Sequence, residues 1–311
     1  MKRLFFECCA GVAGDMLLSS LIDLFDEKET LIQELNQIGI PEVEYKWEPS
    51  TKCGIVGSHV HVLVGGQEEE SADAHDHEHC HHDEEHHDHE HCHHDEEHHD
   101  HEHCHNEEHH DHEQCHDEEH HDHEHGHHHE GHHHHGHHHG HHHHAGMKEI
   151  NAIIDSLKVS DSVKHHSMEV YRLIAEAESK VHGREMDQIH FHEVGTKDAI
   201  ADVVACAYLL EKIGADEIVA SPIVTGYGHV HCAHGILPVP APATALLLTG
   251  IPSLAGSEAG ERSTPTGVAL IKHYADSFSQ RPLMTIDIIG YGMGTKDFKE
   301  ANCVRAFLED V

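Results

Sequence analysis

Residues 3–25 read RLFFECCAGVAGDMLLSSLIDLF. A short apolar run of strand type gives way to a turn with glycines at 11 and 14. Apolar residues then return at helical spacing from Met16. Strand, glycine turn and helix in that order open an α/β unit. The turn carries one carboxylate, Asp15, and ligands of α/β proteins often bind at such a turn. The bland alternative for Asp15 is a helix cap. No Gly-Lys-Ser/Thr follows the glycines, so the turn is not a phosphate-cradling P-loop, which argues against a nucleotide-dependent hydrolase. The same stretch has a superficial likeness to a secretion signal, but Glu7 and Asp15 interrupt its apolar run.

The pattern continues outward. EKETLIQELNQIG (27–39) predicts an amphipathic helix closed at Gly39, and VEYKWEPS (43–50) and GSHVHVLVG (57–65) predict strands. In the second of these, Ser58, Val60, Val62 and Val64 alternate with His59, His61 and Leu63. Beyond residue 147, helices are expected over 149–157, 167–183, 196–214, 240–250 and 263–278. Strands are expected over 217–226, 283–294 and 302–311. The expected fold is α/β, a mixed sheet with flanking helices. It is built from residues 1–67 and 147–311 and interrupted by a long insertion over 68–146.

That insertion is unlike the rest. Between Glu68 and His144 lie 38 of the 49 histidines and 26 of the 58 acidic residues, with no Lys or Arg. HDHEHC begins at 75, 87 and 99, with variants at 110 and 121, and Cys80, Cys92, Cys104 and Cys115 recur within it. So few apolar groups cannot offset the entropy of ordering the chain, so a disordered segment is expected. Neutral imidazole binds nickel, zinc, copper and cobalt. A loose tract therefore gathers metal at high capacity but imposes no geometry, and it cannot choose its metal. Setting it aside takes the net charge from −39 to −13. The acidic balance disfavours nucleic acid and anionic membranes. No run of eighteen apolar residues is present. A cytoplasmic protein with reduced cysteines is expected.

Sites with defined geometry must lie in the folded parts. In HFHEVGTKD (190–198), His190 and His192 share one face of an extended segment, with Ile189 and Phe191 on the other. Glu193 follows, and Asp198 and Asp202 stand one turn apart on the next helix. GYGHVHCAHG (226–235) carries His229, His231 and His234. Each cluster is a candidate metal site, and partly buried structural histidines are the alternative. GILPVPAPAT (235–244) imposes a rigid path. ERSTPTG (261–267) places Ser263, Thr264 and Thr266 at a helix start, suited to a phosphate or carboxylate.

GVAGDM after the first strand, HFHEVG before an acidic helix start, HG-x-LPVPAPAT and ERSTPTG occur here in one order. Together they resemble the LarC family, over essentially all of the chain outside the tract. The resemblance implies a CTP-dependent nickel insertase, a cyclometallase of the lyase class. It would place Ni²⁺ into pyridinium-3,5-bisthiocarboxylic acid mononucleotide to form the nickel-pincer cofactor of lactate racemase-type enzymes. It implies CTP with Mn²⁺ or Mg²⁺, held in a C-terminal part that would begin near Val311. The expected partners are the small-molecule precursor, that C-terminal domain or chain, and a second copy of this chain. A non-catalytic nickel store or chaperone is the competing reading. The chemistry suggests roles by residue type: Glu193 and Asp15 as catalytic groups, Ser263, Thr264 and Thr266 for the substrate, and His190, His192, His229, His231 and His234 for metal.

Overall fold

The computed structural model describes residues 1–68, 146–189, 191, 194–232 and 235–310. Residues 69–145 of the insertion expected to be disordered, and the site residues His190, His192, Glu193 and His234, lie outside the described residues; Glu68, expected to open the insertion, instead ends a short strand.

The first segment runs β1 (Lys2–Glu7), α1 (Gly14–Ile22), α2 (Lys28–Gln37), β2 (Val43–Lys52), β3 (Ile55–Val64) and β4 (Gln67–Glu68). After the insertion come α3 (Met147–Ser156), α4 (Asp161–His182), α5 (Lys197–Ile213), β5 (Glu217–Ala220), β6 (Ile223–Val224), β7 (Gly226–Tyr227), β8 (His229–Cys232) and β9 (Gly235–Pro238). The chain continues through α6 (Pro242–Leu247), β10 (Ser253–Leu254), β11 (Gly260–Glu261), α7 (Pro265–Tyr274), β12 (Ser277–Phe278), β13 (Ile288–Met293) and β14 (Cys303–Asp310). The fold is α/β with a mixed central sheet, as the alternation of elements predicts.

The sheet runs in the order β12-β5-β1-β14-β13-β3-β2, with β4 paired to β3. β1 is parallel to β5, and β5 to β12; β14 is antiparallel to both β1 and β13. The carboxyl ends of β1, β5, β12 and β13 therefore share one edge. Period-two alternation divides each central strand between two cores. Leu4 and Phe6 of β1 join the large helix-side core with Leu18, Ile22 and Ile200. Phe5 turns to the other face and packs with Val219 and Phe307.

Helix α1 crosses β13, β3 and β14, and two glycines set how closely. A Cβ on Gly290 would stand 2.1 Å from the Ser20 carbonyl oxygen, and one on Gly292 would stand 1.9 Å from that of Met16. Asp23, the C-cap of α1, pins the helix to two strands. It accepts from the Ser58 hydroxyl at 2.6 Å and from Tyr291 N–H at 2.9 Å.

Several local expectations differ: Ser277–Phe278, expected at the end of a helix, form β12. Residues 217–226 form separate short strands because Pro222 has no N–H for a ladder. Helix α4 starts six residues before Ser167, capped by Ser160, whose hydroxyl accepts from Val163 N–H at 3.1 Å. The polar run before Ser167 hid that turn. The proline-rich path begins as the β8–β9 hairpin.

Candidate functional site

The carboxyl edge of the sheet gathers three sequence motifs. The GVAGDM turn leaves β1, and ERSTPTG lies against it. Val12 N–H donates to the Arg262 carbonyl and to the Ser263 hydroxyl, each at 3.0 Å, and Thr264 N–H returns a bond to Val12 C=O at 3.0 Å. Gly11 has φ +98°, and a Cβ there would meet the Arg262 oxygen at 1.9 Å. The turn thus works only with glycine. The third segment, Gly294–Asn302, follows β13. Its Thr295 hydroxyl donates to Asp15 at 3.4 Å.

Asp15 sits in the first turn of α1. Burial raises its carboxyl pKa, opposed by the charge of His59 and by hydrogen bonds from Met16 and Thr295. Beside it, α1 crosses α5 so tightly that a Cβ on Gly14 would fall 2.3 Å from Asp202 Oδ2. Burial holds the Asp202 carboxyl well above the usual range, and the charges of Asp15 and Asp198 push it the same way. Asp202 Oδ1 is buried without a hydrogen-bond partner. Asp198 bonds within the first turn of α5: its Oδ1 accepts from Ala199 N–H at 2.6 Å and from the Thr196 hydroxyl.

Asp202 supplies a test by linkage. A carboxyl whose folded pKa is raised favours folding while protonated, below its unfolded value near 3.8, and that contribution is lost as pH rises through the folded pKa. Asp202→Asn is therefore expected to unfold at higher urea than the parent at pH 8, with the gap closing toward pH 4. Equal midpoints at both pH values would contradict the assignment.

Arg262, which the sequence reading passed over, is 3 % exposed. Its Nε donates to Ala10 C=O at 2.9 Å and its guanidinium lies 3.9 Å from the Phe298 ring centroid. Its Nη2 is buried without a partner. Of the hydroxyls singled out beside it, Ser263 is fully buried. It accepts from Val12 N–H and donates to Val224 C=O at 2.7 Å, so an anion would have to displace one of those bonds. The Thr264 hydroxyl caps α7 by accepting from Gly267 N–H at 3.3 Å. Thr266 is buried in the first turn of that helix.

Histidine enters the site from an unexpected strand. His59 and His61 project from one face of β3. Glu68 on β4 returns beside them, because Leu63 and Glu68 are paired residues. Ligand-capable atoms of the three lie within 4.8 Å of one another, the one such trio of His, Cys, Asp or Glu among the described residues. His229 and His231 lie on the exposed face of the β8–β9 hairpin and are not in it. Phe191 and Ile189 are buried in the core, as the alternation at 189–191 requires. A third His-x-His, at 59 and 61, was visible in the sequence. Its partner Glu68 was not, because it lies seven residues on, across a turn.

No described helix is long and apolar enough to cross a membrane. Half-buried carboxylates on α1 and α5, a His₂Glu trio on β3 and β4 and a histidine-laden insertion are donor types that suit first-row metal ions, carried here on an α/β fold. A family model described as "Nickel insertion protein" matches residues 4–311, and the chain belongs to that family. It is 37 % identical over 309 residues to a pyridinium-3,5-bisthiocarboxylic acid mononucleotide nickel insertion protein of Clostridium kluyveri, covering 99 % of this chain and 62 % of the relative. The protein of the same description from Clostridium acetobutylicum is 38 % identical over 99 % of this chain and 64 % of its own length. A putative nickel insertion protein of Geotalea daltonii is 33 % identical, with 99 % and 61 % covered. The chain thus spans a little under two thirds of the length of these relatives. No solved structure matches it.

Proposed function

We propose that this chain carries the metal-handling and proton-removing part of nickel insertion into pyridinium-3,5-bisthiocarboxylic acid mononucleotide. The observation that supports this reading best is Asp15, a carboxylate at the carboxyl edge of the sheet whose pKa burial raises. Forming a nickel–carbon bond replaces a C–H bond of the pyridinium ring. The electron pair goes to nickel and the proton must go to a base. A base works best when its pKa is brought toward the working pH, and burial does this for Asp15. Glu193 is a second candidate for the same proton. The substrate's phosphate is assigned to the first turn of α7, at Thr264 and Thr266, where helix N–H groups offer donors. Ser263 holds that turn to Val12. His190, His192, His229, His231 and His234 are assigned to nickel from their pairing in the sequence. The CTP-dependent step with Mn²⁺ or Mg²⁺, in the lyase class, is assigned to the part of the relatives that this chain does not span. The free thiols of Cys8, Cys9, Cys53, Cys206, Cys232 and Cys303 suit a cytoplasmic setting.

The test is reconstitution. The chain is incubated with NiCl₂, the precursor and CTP, with and without the remaining portion of its longer relatives. Product is read by mass spectrometry as gain of nickel and loss of one proton. Product should depend on this chain, and at saturating nickel it should survive conversion of the tract histidines to asparagine. Loss of product on that conversion would favour a nickel store, whose working part is the tract.

A further inference from the structure

Outside the carboxylate site, the trio on β3 and β4 has features that packing alone does not require. His59 is 6 % exposed, yet Nδ1 is the nitrogen that reaches the protein, at 2.7 Å from the Met293 carbonyl oxygen. A carbonyl only accepts, so Nδ1 carries the hydrogen, and the neutral ring in that tautomer offers its Nε2 lone pair to an ion. That Nε2 faces Glu68 Oε1 at 3.9 Å. His61 is arranged in the opposite sense. Its Nε2 lies 3.2 Å from Glu48, and its Nδ1 lies 3.1 Å from both oxygens of Glu68. Each ring thus has one nitrogen tied to an acceptor outside the trio and the other turned toward Glu68. Metal-bound histidines are oriented in this way by outer acceptors, which fix the tautomer.

The spacing fits an ion. Imidazole and carboxylate ligands about 2.0–2.2 Å from a metal stand roughly 3.0–3.4 Å apart across a tetrahedral or octahedral edge. The observed 3.1 Å falls within that span and 3.9 Å exceeds it, as does the 4.8 Å within which all three ligand atoms lie, so closure needs movement of side chains, above all of Glu68, which is 42 % exposed. Two imidazoles and one carboxylate select first-row divalent ions over Mg²⁺ or Ca²⁺. Three protein ligands leave coordination positions open, as suits an ion that must be passed on. Glu68 is followed directly by the histidine-rich sequence from residue 69. On the other side, His59 lies within electrostatic reach of Asp15.

We propose that His59, His61 and Glu68 form a three-ligand transfer site for one first-row divalent cation, its carboxylate directly preceding the histidine tract in sequence. The transfer role rests on the proposed insertion function; the binding of the ion does not. The test uses the full-length chain with its tract histidines changed to asparagine, titrated with NiCl₂ by calorimetry. One equivalent should bind. His59→Ala/His61→Ala should weaken that binding at least 100-fold. Glu68→Gln, a conservative change at an exposed position, should weaken it about tenfold while the circular-dichroism melt stays unchanged. In crystals of the unaltered chain, a nickel anomalous peak should lie against His59 Nε2. Unchanged affinity in both variants, or no peak there at full nickel loading, overturns the site. Insertion by the same variants is measured separately at saturating nickel. If the site binds nickel but the chain, supplied with the remaining portion of its relatives, gives no insertion, the insertion reading fails and the binding site stands.

Discussion

Replacing Asp15 by Asn is expected to lower the rate of the proposed nickel insertion by at least ~100-fold, the low end of what a positioned general base contributes. Asparagine keeps the shape and the contact with Thr295 but cannot take a proton. The loss should fall on the rate at saturating substrate and nickel, and not on nickel binding at His59 and His61. The fold should survive, because burial already disfavours the charged form of this side chain. The pH profile gives a second readout. In the parent, insertion should rise with pH through an ionisation above the ordinary aspartate value of 3.8. In the Asn variant that rising limb should be missing. Full activity in a folded Asp15→Asn protein would transfer the role to another group, Glu193 first.

Gly292→Ala costs about 3 kcal/mol of folding stability, the upper end of the usual range for overpacking. The added methyl would meet the Met16 carbonyl oxygen at 1.9 Å, and this obstacle is backbone. A flexible side chain would swing away; a helix must lift as a body. Gly290→Ala, at 2.1 Å from the Ser20 carbonyl, should behave alike. Since α1 carries Asp15 in its first turn, lifting it also displaces the carboxylate. Insertion should therefore fall along with the urea midpoint. An unchanged unfolding curve would mean that α1 does not seat on β13.

GYGMG illustrates what local patterning conveys. Its alternation marks a strand, which β13 is, but nothing local says that the two glycines are the floor under a helix 270 residues earlier in the chain. The strand–glycine–helix opening was readable because each element follows from short-range rules: apolar run, turn residue, helical period. So were α5, with its glycine stop at 214, and the class of the sheet. The lost segments have equally local reasons. Pro222 cut a run of β-forming residues, and a polar first turn concealed the start of α4.

The site divides in the same way. Asp15 stood out because a carboxylate on a glycine turn after a first strand is conspicuous. The hydroxyls of ERSTPTG stood out by composition, yet two of them are engaged in fixing the turn and capping α7. Arg262 went unnoticed because an arginine beside a glutamate reads as a surface pair. Only the packed loop from Gly294 to Asn302 shows it to be buried with an unpaired nitrogen.

By itself the sequence determined the α/β class, the separate chemistry of the histidine tract and the carboxylate on the first turn, since all three rest on neighbours within a few residues. Which described His-x-His pair joins a carboxylate in a ligand trio was left to the tertiary structure. The pairs at 59–61, 190–192 and 229–231 have the same two-residue spacing. The pair on β3 is distinguished by strand register, which brings the Met293 carbonyl to one side of His59 and Glu68 to the other. Register is set by the packing of strands distant in the chain, so no local pattern encodes it.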